Sequence, residues 1–82
     1  MTRYIIPFRM PEDITAVEVC GLLKKHNIYI GAQTSYVNDE FLIKGTMENL
    51  IKFFEELDGP GQSFNVEEFE DYVYENQVAA FA

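Results

Sequence analysis

Between Thr46 and Gly61 the chain spells out one helix from cap to stop, and that helix constrains everything else. Thr46 offers a capping hydroxyl, and Leu50, Phe53, Phe54 and Leu57 recur at helical spacing. Asp58-Gly59-Pro60-Gly61 ends the run with a glycine stop followed by a proline. A second stripe lies upstream. Pro11-Glu12-Asp13 opens it, with Asp13 as the expected N-cap. Ala16, Val19, Cys20 and Leu23 fit the i, i+3, i+4, i+7 template, and Leu22 widens it. Lys24, Lys25 and His26 occupy the last turn, where cations are favoured, and Asn27 suits a left-handed stop. Two apolar stripes need an apolar surface to cover, and the short β-forming runs around them must supply it.

The first run is residues 3–9, where Tyr4, Ile5, Ile6 and Phe8 are β-formers. Pro7 cannot donate to a ladder, so either the strand ends near Ile6 or one side of it is unpaired. Residues 28–37 form the second run, with a bulge expected at Gly31. Asn38-Asp39 supplies a two-residue turn, and Phe41, Leu42 and Ile43 form the returning strand. The segment after Phe64 reads two ways. Phe64, Val66, Tyr72 and Tyr74 share strand parity, although Glu68 and Glu70 interrupt that face. Val66, Phe69, Tyr72 and Val73 also fit a helix, with Asn65 and Glu68 as a capping box. The aromatic and β-branched content favours the strand.

The resulting order, β-α-β-β-α-β over one domain of residues 1–82, resembles the ferredoxin-like plait. That resemblance implies an α+β fold with an antiparallel sheet and two helices on one face. If the last segment is helical, the order becomes β-α-β-β-α-α, with a C-terminal helix and a three-stranded sheet. The plait carries enzymes, RNA binders and ligand sensors, so it assigns no activity. The apolar tail Gln77–Ala82 either packs on the body or pairs with another chain, which leaves a homodimer open.

The net charge is distributed very unevenly. Residues 1–52 balance six acids against six bases, and after Lys52 there is no Lys or Arg. Glu55, Glu56, Asp58, Glu67, Glu68, Glu70, Asp71 and Glu75 therefore supply the whole −8. Such a block repels phosphate and anionic lipid and attracts basic surfaces. At 48% apolar residues the composition is that of a folded chain, with a small core at this length. No apolar run approaches the roughly 18 residues of a membrane span. The first residues show no signal-peptide core, and the single cysteine excludes an internal disulfide, so a cytoplasmic setting is expected.

The reactive residues are few. Cys20 and His26 are six apart on one helix, which puts them on nearly opposite sides. Core packing is the plain role for Cys20, and helix capping for His26. Zinc would need more Cys and His, and no Asp-x-Asp-x-Asp-Gly calcium loop is present. Gly59-Pro60-Gly61 is no phosphate loop, because no Lys-Ser/Thr follows it. The fold order is similar to that of the RNA recognition motif, and Tyr4, Tyr29 and Phe41 could imitate its stacking aromatics. However, there is no run like that family's Arg-Gly-Phe-Gly-Phe, and six cations in a chain of net charge −8 argue against phosphate contacts. Arg9 after the first strand resembles the acylphosphatase arginine, but Met10-Pro11 stands where that family has its phosphate cradle.

These observations lead to the expectation of a non-catalytic acidic regulator or inhibitor, without metal or cofactor. Its partner-binding residues would be Glu67, Glu68, Glu70, Asp71, Tyr72, Tyr74 and Glu75. They would face a basic protein surface, not nucleic acid or membrane, with the tyrosines as anchors among the acids. Carboxylates standing where phosphates would lie could occlude a nucleic-acid-binding site. In size and acidity the chain resembles the small inhibitors phages use against host or defence systems, and antitoxins work similarly. The alternative is a ligand-sensing or oligomerising domain like the ACT-type regulators, which bind small molecules at sheet-edge interfaces.

Overall fold

β1 (Arg3–Arg9) runs through the sheet interior and finds a partner on each side. One neighbour is β3 (Glu40–Thr46), which also pairs with β2 (Tyr29–Ser35). The other is the three-residue β4 (Ala79–Phe81). The order is β2-β3-β1-β4, and every neighbouring pair is antiparallel. Three helices complete this small α+β architecture: α1 (Ala16–Lys25), α2 (Met47–Asp58) and α3 (Val66–Asn76). The computed structural model describes residues 1–35, 40–59 and 64–82, so the expected Asn38-Asp39 turn and the Pro60-Gly61 end of the helix stop lie outside the described residues.

Alternation along β1 sorts its side chains. Ile6 and Phe8 are buried with Ile43 of β3, in one core with Val19 and Leu23 of α1, Leu50 and Phe53 of α2, and Phe69 and Val73 of α3. All three helices therefore cover the same sheet face. Among the described residues no polar or charged side chain is buried. Phenylalanines make much of that core: Phe8 stands edge-on to Phe41, Phe53 and Phe54 at 5.5, 5.5 and 5.7 Å, and Phe54 meets Phe69 at 4.8 Å. Such ring pairs each add about 0.5–1.5 kcal/mol beyond the area they bury.

Pro7 sits inside β1 without leaving a gap in the ladder. Val78 N–H donates to the Ile5 carbonyl, so the polar groups of Ile5 face β4. Residues two apart point their backbone groups to the same side, so the Pro7 nitrogen also faces that way. But β4 pairs only with Arg3, Tyr4 and Ile5 and stops short of it. The unpaired side expected from the sequence is the part of β1 beyond the end of β4. The bulge expected near Gly31 is present as well: β2 slips register against β3 between Ile30 and Gln33.

The strand expected within residues 64–76 is a helix, and the fourth strand comes from the tail instead. Asn65 Oδ1 accepts from Glu68 N–H at 3.1 Å, and Phe69 and Val73, one turn apart, take the buried positions. A strand of the expected parity would have put Glu68 and Glu70 on the covered face. The helix removes that conflict and leaves the tail to pair with β1. Neither expected element order holds, because this C-terminal helix coexists with a fourth strand. In α1 the N-cap is Thr15 rather than Asp13: its Oγ1 accepts from Glu18 N–H at 3.2 Å. Cys20 is exposed, not core. The inward stripe is Val19, Leu22, Leu23 and His26, shifted from the expected one, so Cys20 falls at its margin. Thr46, Asn27 (φ 56°) and Gly59 (φ 89°) cap and stop as expected.

Candidate docking surface

Helix α3 decides where the acids go. At about 100° per residue, with Phe69 and Val73 inward, Glu67, Asp71 and Glu75 follow one another up the outer side, and Glu68 lies beside them. These four exposed carboxylates share an outward arc of about 100°. The strand reading would have split them between two faces. Glu70 lies outside the arc, half-buried at the flank of the helix. The two tyrosines border the stripe on opposite sides. Tyr72 stacks on Phe69 with centroids 6.1 Å apart and remains 42% exposed. Tyr74 is 52% exposed and meets Tyr4 of β1 edge-on at 5.8 Å. Of the seven expected partner-binding residues, the helix thus gathers Glu67, Glu68, Asp71 and Glu75 into one stripe, frames it with Tyr72 and Tyr74, and sets Glu70 aside.

The stripe has no cation of its own. Among the described residues the ion pairs involve other carboxylates: Lys25 and His26 with Glu56, and Lys52 with Glu48. Glu67–Asp71 and Asp71–Glu75 are like-charge pairs at i, i+4, each unfavourable by about 0.2–0.5 kcal/mol. Glu67 and Glu68 suit the positive helix start, but Glu75 sits in the last turn, where the dipole disfavours an anion and no base is present. Hydrogen bonding to the Tyr4 hydroxyl raises the Tyr74 phenol above its ordinary value, and the Glu70 and Asp71 carboxylates add to this. α2 packs beside α3 and contributes exposed Glu55 and Asp58 to the same acidic half of the chain.

The reactive residues do not assemble elsewhere. His26 Nε2 lies 3.0 Å from Glu56 Oε1, which also accepts from Lys25 Nζ at 2.9 Å, so His26 joins α1 to α2. Hydrogen bonds to Lys25 and His26 hold the Glu56 carboxyl below the ordinary range. Cys20 lines a shallow groove of about 270 Å³ between α1 and β2, with Lys24, Asn27 and Ile30. Among the described residues no three His, Cys, Asp or Glu side chains converge as a metal site. No described helix is long and apolar enough to cross a membrane. The sequence missed the Glu56 cluster, although Glu56 three residues before the Gly59 stop of α2 and His26 at the end of α1 are both helix-end positions. Comparison with protein-family models, curated proteins and solved structures finds no match for this chain.

Proposed function

We propose that the chain is a non-catalytic regulator or inhibitor that docks a basic protein surface through the outer side of α3. The observation that carries this reading is the segregation on that helix: Glu67, Glu68, Asp71 and Glu75 share one exposed stripe without a cation, with Tyr72 and Tyr74 at its borders. Repulsion along the stripe lowers helix stability, and a cationic partner relieves it. Opposed potentials speed encounter and disfavour wrong partners, while the tyrosines offer area that can be desolvated. A basic nucleic-acid-binding site is the natural target, its cations meeting carboxylates in place of phosphates. Phage-type anti-host or anti-defence inhibition and antitoxin-like neutralisation both belong to this class, and both act in the cytoplasm.

The strand order β2-β3-β1-β4, with antiparallel neighbours and helices on one face, supports the finer reading of a ferredoxin-like plait with α3 added before its last strand. The ACT-like alternative needs good sheet edges. Here β2 is bulged and β4 is three residues long, and both features discourage edge pairing.

Affinity capture from the source cell at low and high salt tests the proposal. Wild-type protein is expected to retain a basic partner that salt releases. Protein carrying Glu67→Lys, Glu68→Lys, Asp71→Lys and Glu75→Lys is expected to lose it. Equal capture by both proteins, or no salt-sensitive partner with either, would overturn the reading.

A further inference from the structure

The helices leave the second face of the sheet uncovered, and its chemistry is the reverse of α3. Cross-strand pairing aligns Arg3 with Thr46 and Phe81, Ile5 with Lys44 and Ala79, Pro7 with Leu42, and Arg9 with Glu40. Three of the chain's six Lys and Arg residues are thus on this face, in a protein of net charge −8. Ile5, Pro7 and Leu42 form a half-buried apolar floor, while Tyr29 and Phe81 stand 63% and 51% exposed at the two margins. A groove of about 470 Å³ crosses the β1–β3–β2 part of this face. Gly31 keeps it open, since a Cβ there would lie 3.3 Å from Leu42 Cβ. Lys44 Nζ lies 5.2 Å from the Phe81 ring centre, a cation held over an aromatic on the outer surface.

We propose that this face receives helix α3 of a second copy of the chain. The argument is charge complementarity within one sequence. The face offers Arg3 and Lys44 beside an apolar floor, with Arg9 next to Glu40 at one end, and α3 offers four carboxylates bordered by Tyr72 and Tyr74. The dimensions agree: an 11-residue helix is about 16 Å long, and four strands span about 14 Å between their outer axes. A two-fold stack of sheet on sheet would instead set the same cations against each other. The contact is therefore head-to-tail, which leaves a free face on each pair and adds further copies as a ring or an open chain, according to the rotation between them. One helix on one sheet face lies well below the roughly 800 Å² per partner of a standard interface, so the association is weak and depends on concentration. It needs no third molecule, so it stands or falls independently of the basic-partner reading. Where both hold, self-association masks α3 and competes with partner capture.

Sedimentation velocity over a concentration series at fixed moderate salt tests this with two variants. One carries Arg3→Glu and Lys44→Glu, and the other carries Asp71→Lys and Glu75→Lys. Wild-type protein is expected to shift to larger species with concentration, while each variant alone remains monomeric. Mixing the two variants is expected to restore association, because each then meets its complement. Their net charges, −12 and −4 from the wild-type −8, still repel overall, so restoration reports the local match. A restored mixture also shows that both variants are folded. Arg3→Gln with Lys44→Gln, checked by circular dichroism, replaces the reversed pair if that pair unfolds, and is expected to weaken association at least tenfold. Monomeric wild type at every concentration would overturn the proposal, as would folded variants that fail to restore association when mixed. Association lost only in the sheet variant would also overturn it, because α3 would then take no part.

Discussion

Tyr74 of α3 stands edge-on to Tyr4 of β1, with ring centroids 5.8 Å apart and planes at 78°. Phe69 and Val73 bury the inner side of α3, and this pair fixes the last turn of the helix to the sheet. The hydroxyl contact raises the Tyr74 phenol above its ordinary value. A raised value means that the folded state holds the proton more tightly. The resulting stability is full below about pH 10 and is lost as pH climbs through the folded value. Tyr4→Phe is expected to bring the Tyr74 titration back toward its ordinary value, read by absorbance at 295 nm, and to flatten the fall of stability above pH 10. A titration that loses one tyrosine's amplitude but keeps its high-pH limb in place would show that the two hydroxyls do not interact.

Gly45 and Gly21 make opposite demands on an added methyl group. At Gly45 a Cβ would lie 3.1 Å from Ile28 Cγ1 and 3.6 Å from Leu50, inside the core. Gly45→Ala is expected to destabilise by about 1–3 kcal/mol through overpacking. Gly21 lies inside α1 with no atom within 4 Å of such a Cβ. Gly21→Ala is expected to stabilise by about 0.5–1 kcal/mol through helix propensity. Urea unfolding of both variants checks the pair, and a gain at Gly45 would contradict the close approach of β3 to Ile28.

Glu56 joins two helices through Lys25 and His26, and its carboxyl lies below the ordinary 4.5. A depressed carboxylate contributes stability that is present above its unfolded value and lost as pH falls through the folded one. Glu56→Gln is expected to lower stability at pH 8, where the ionised carboxylate contributes, and to leave part of the acid-induced destabilisation below pH 4.5 missing, so that variant and wild type converge in acid. Thermal melts across that range read the difference. Parallel curves for the variant and wild type would remove Glu56 from the acid response.

The sequence carried α2 almost whole, because Thr46, Leu50, Phe53 and Gly59 give cap, stripe and stop in one register. It carried the unpaired side of Pro7 for a similar reason: a missing N–H restricts pairing wherever the strand lies. Residues 64–76 were less legible. Phe64, Val66, Tyr72 and Tyr74 satisfy a two-residue period while Phe69 and Val73 satisfy the helical one, and local preference favours the strand. Burial decided against it, since only the helix keeps Glu68 and Glu70 off the covered face. The same ambiguity hid the site, because the acids form one stripe only once the period is helical. Tail pairing was equally hidden. Ala79–Phe81 is three residues long, and its partner, β1, lies at the other end of the chain.

Glu75 separates a docking surface from a merely hydrated one. It lies in the last turn of α3, where no base is present, and four residues after Asp71. A cation there would gain about 0.3–1 kcal/mol from the helix dipole and about 0.2–0.5 kcal/mol by pairing with Asp71 instead of repelling it. Glu75→Lys is therefore expected to stabilise the fold by about 0.5–1 kcal/mol, which in a domain of this size raises Tm by roughly 2–8 °C. If the carboxylates only hold water, the gain comes without any loss. If α3 docks a basic surface, the same substitution must also weaken salt-sensitive capture, mainly by slowing association. Melting and capture measured on the same preparation resolve the two cases: a more stable variant that binds less supports docking, and one that binds as well as wild type removes Glu75 from the surface.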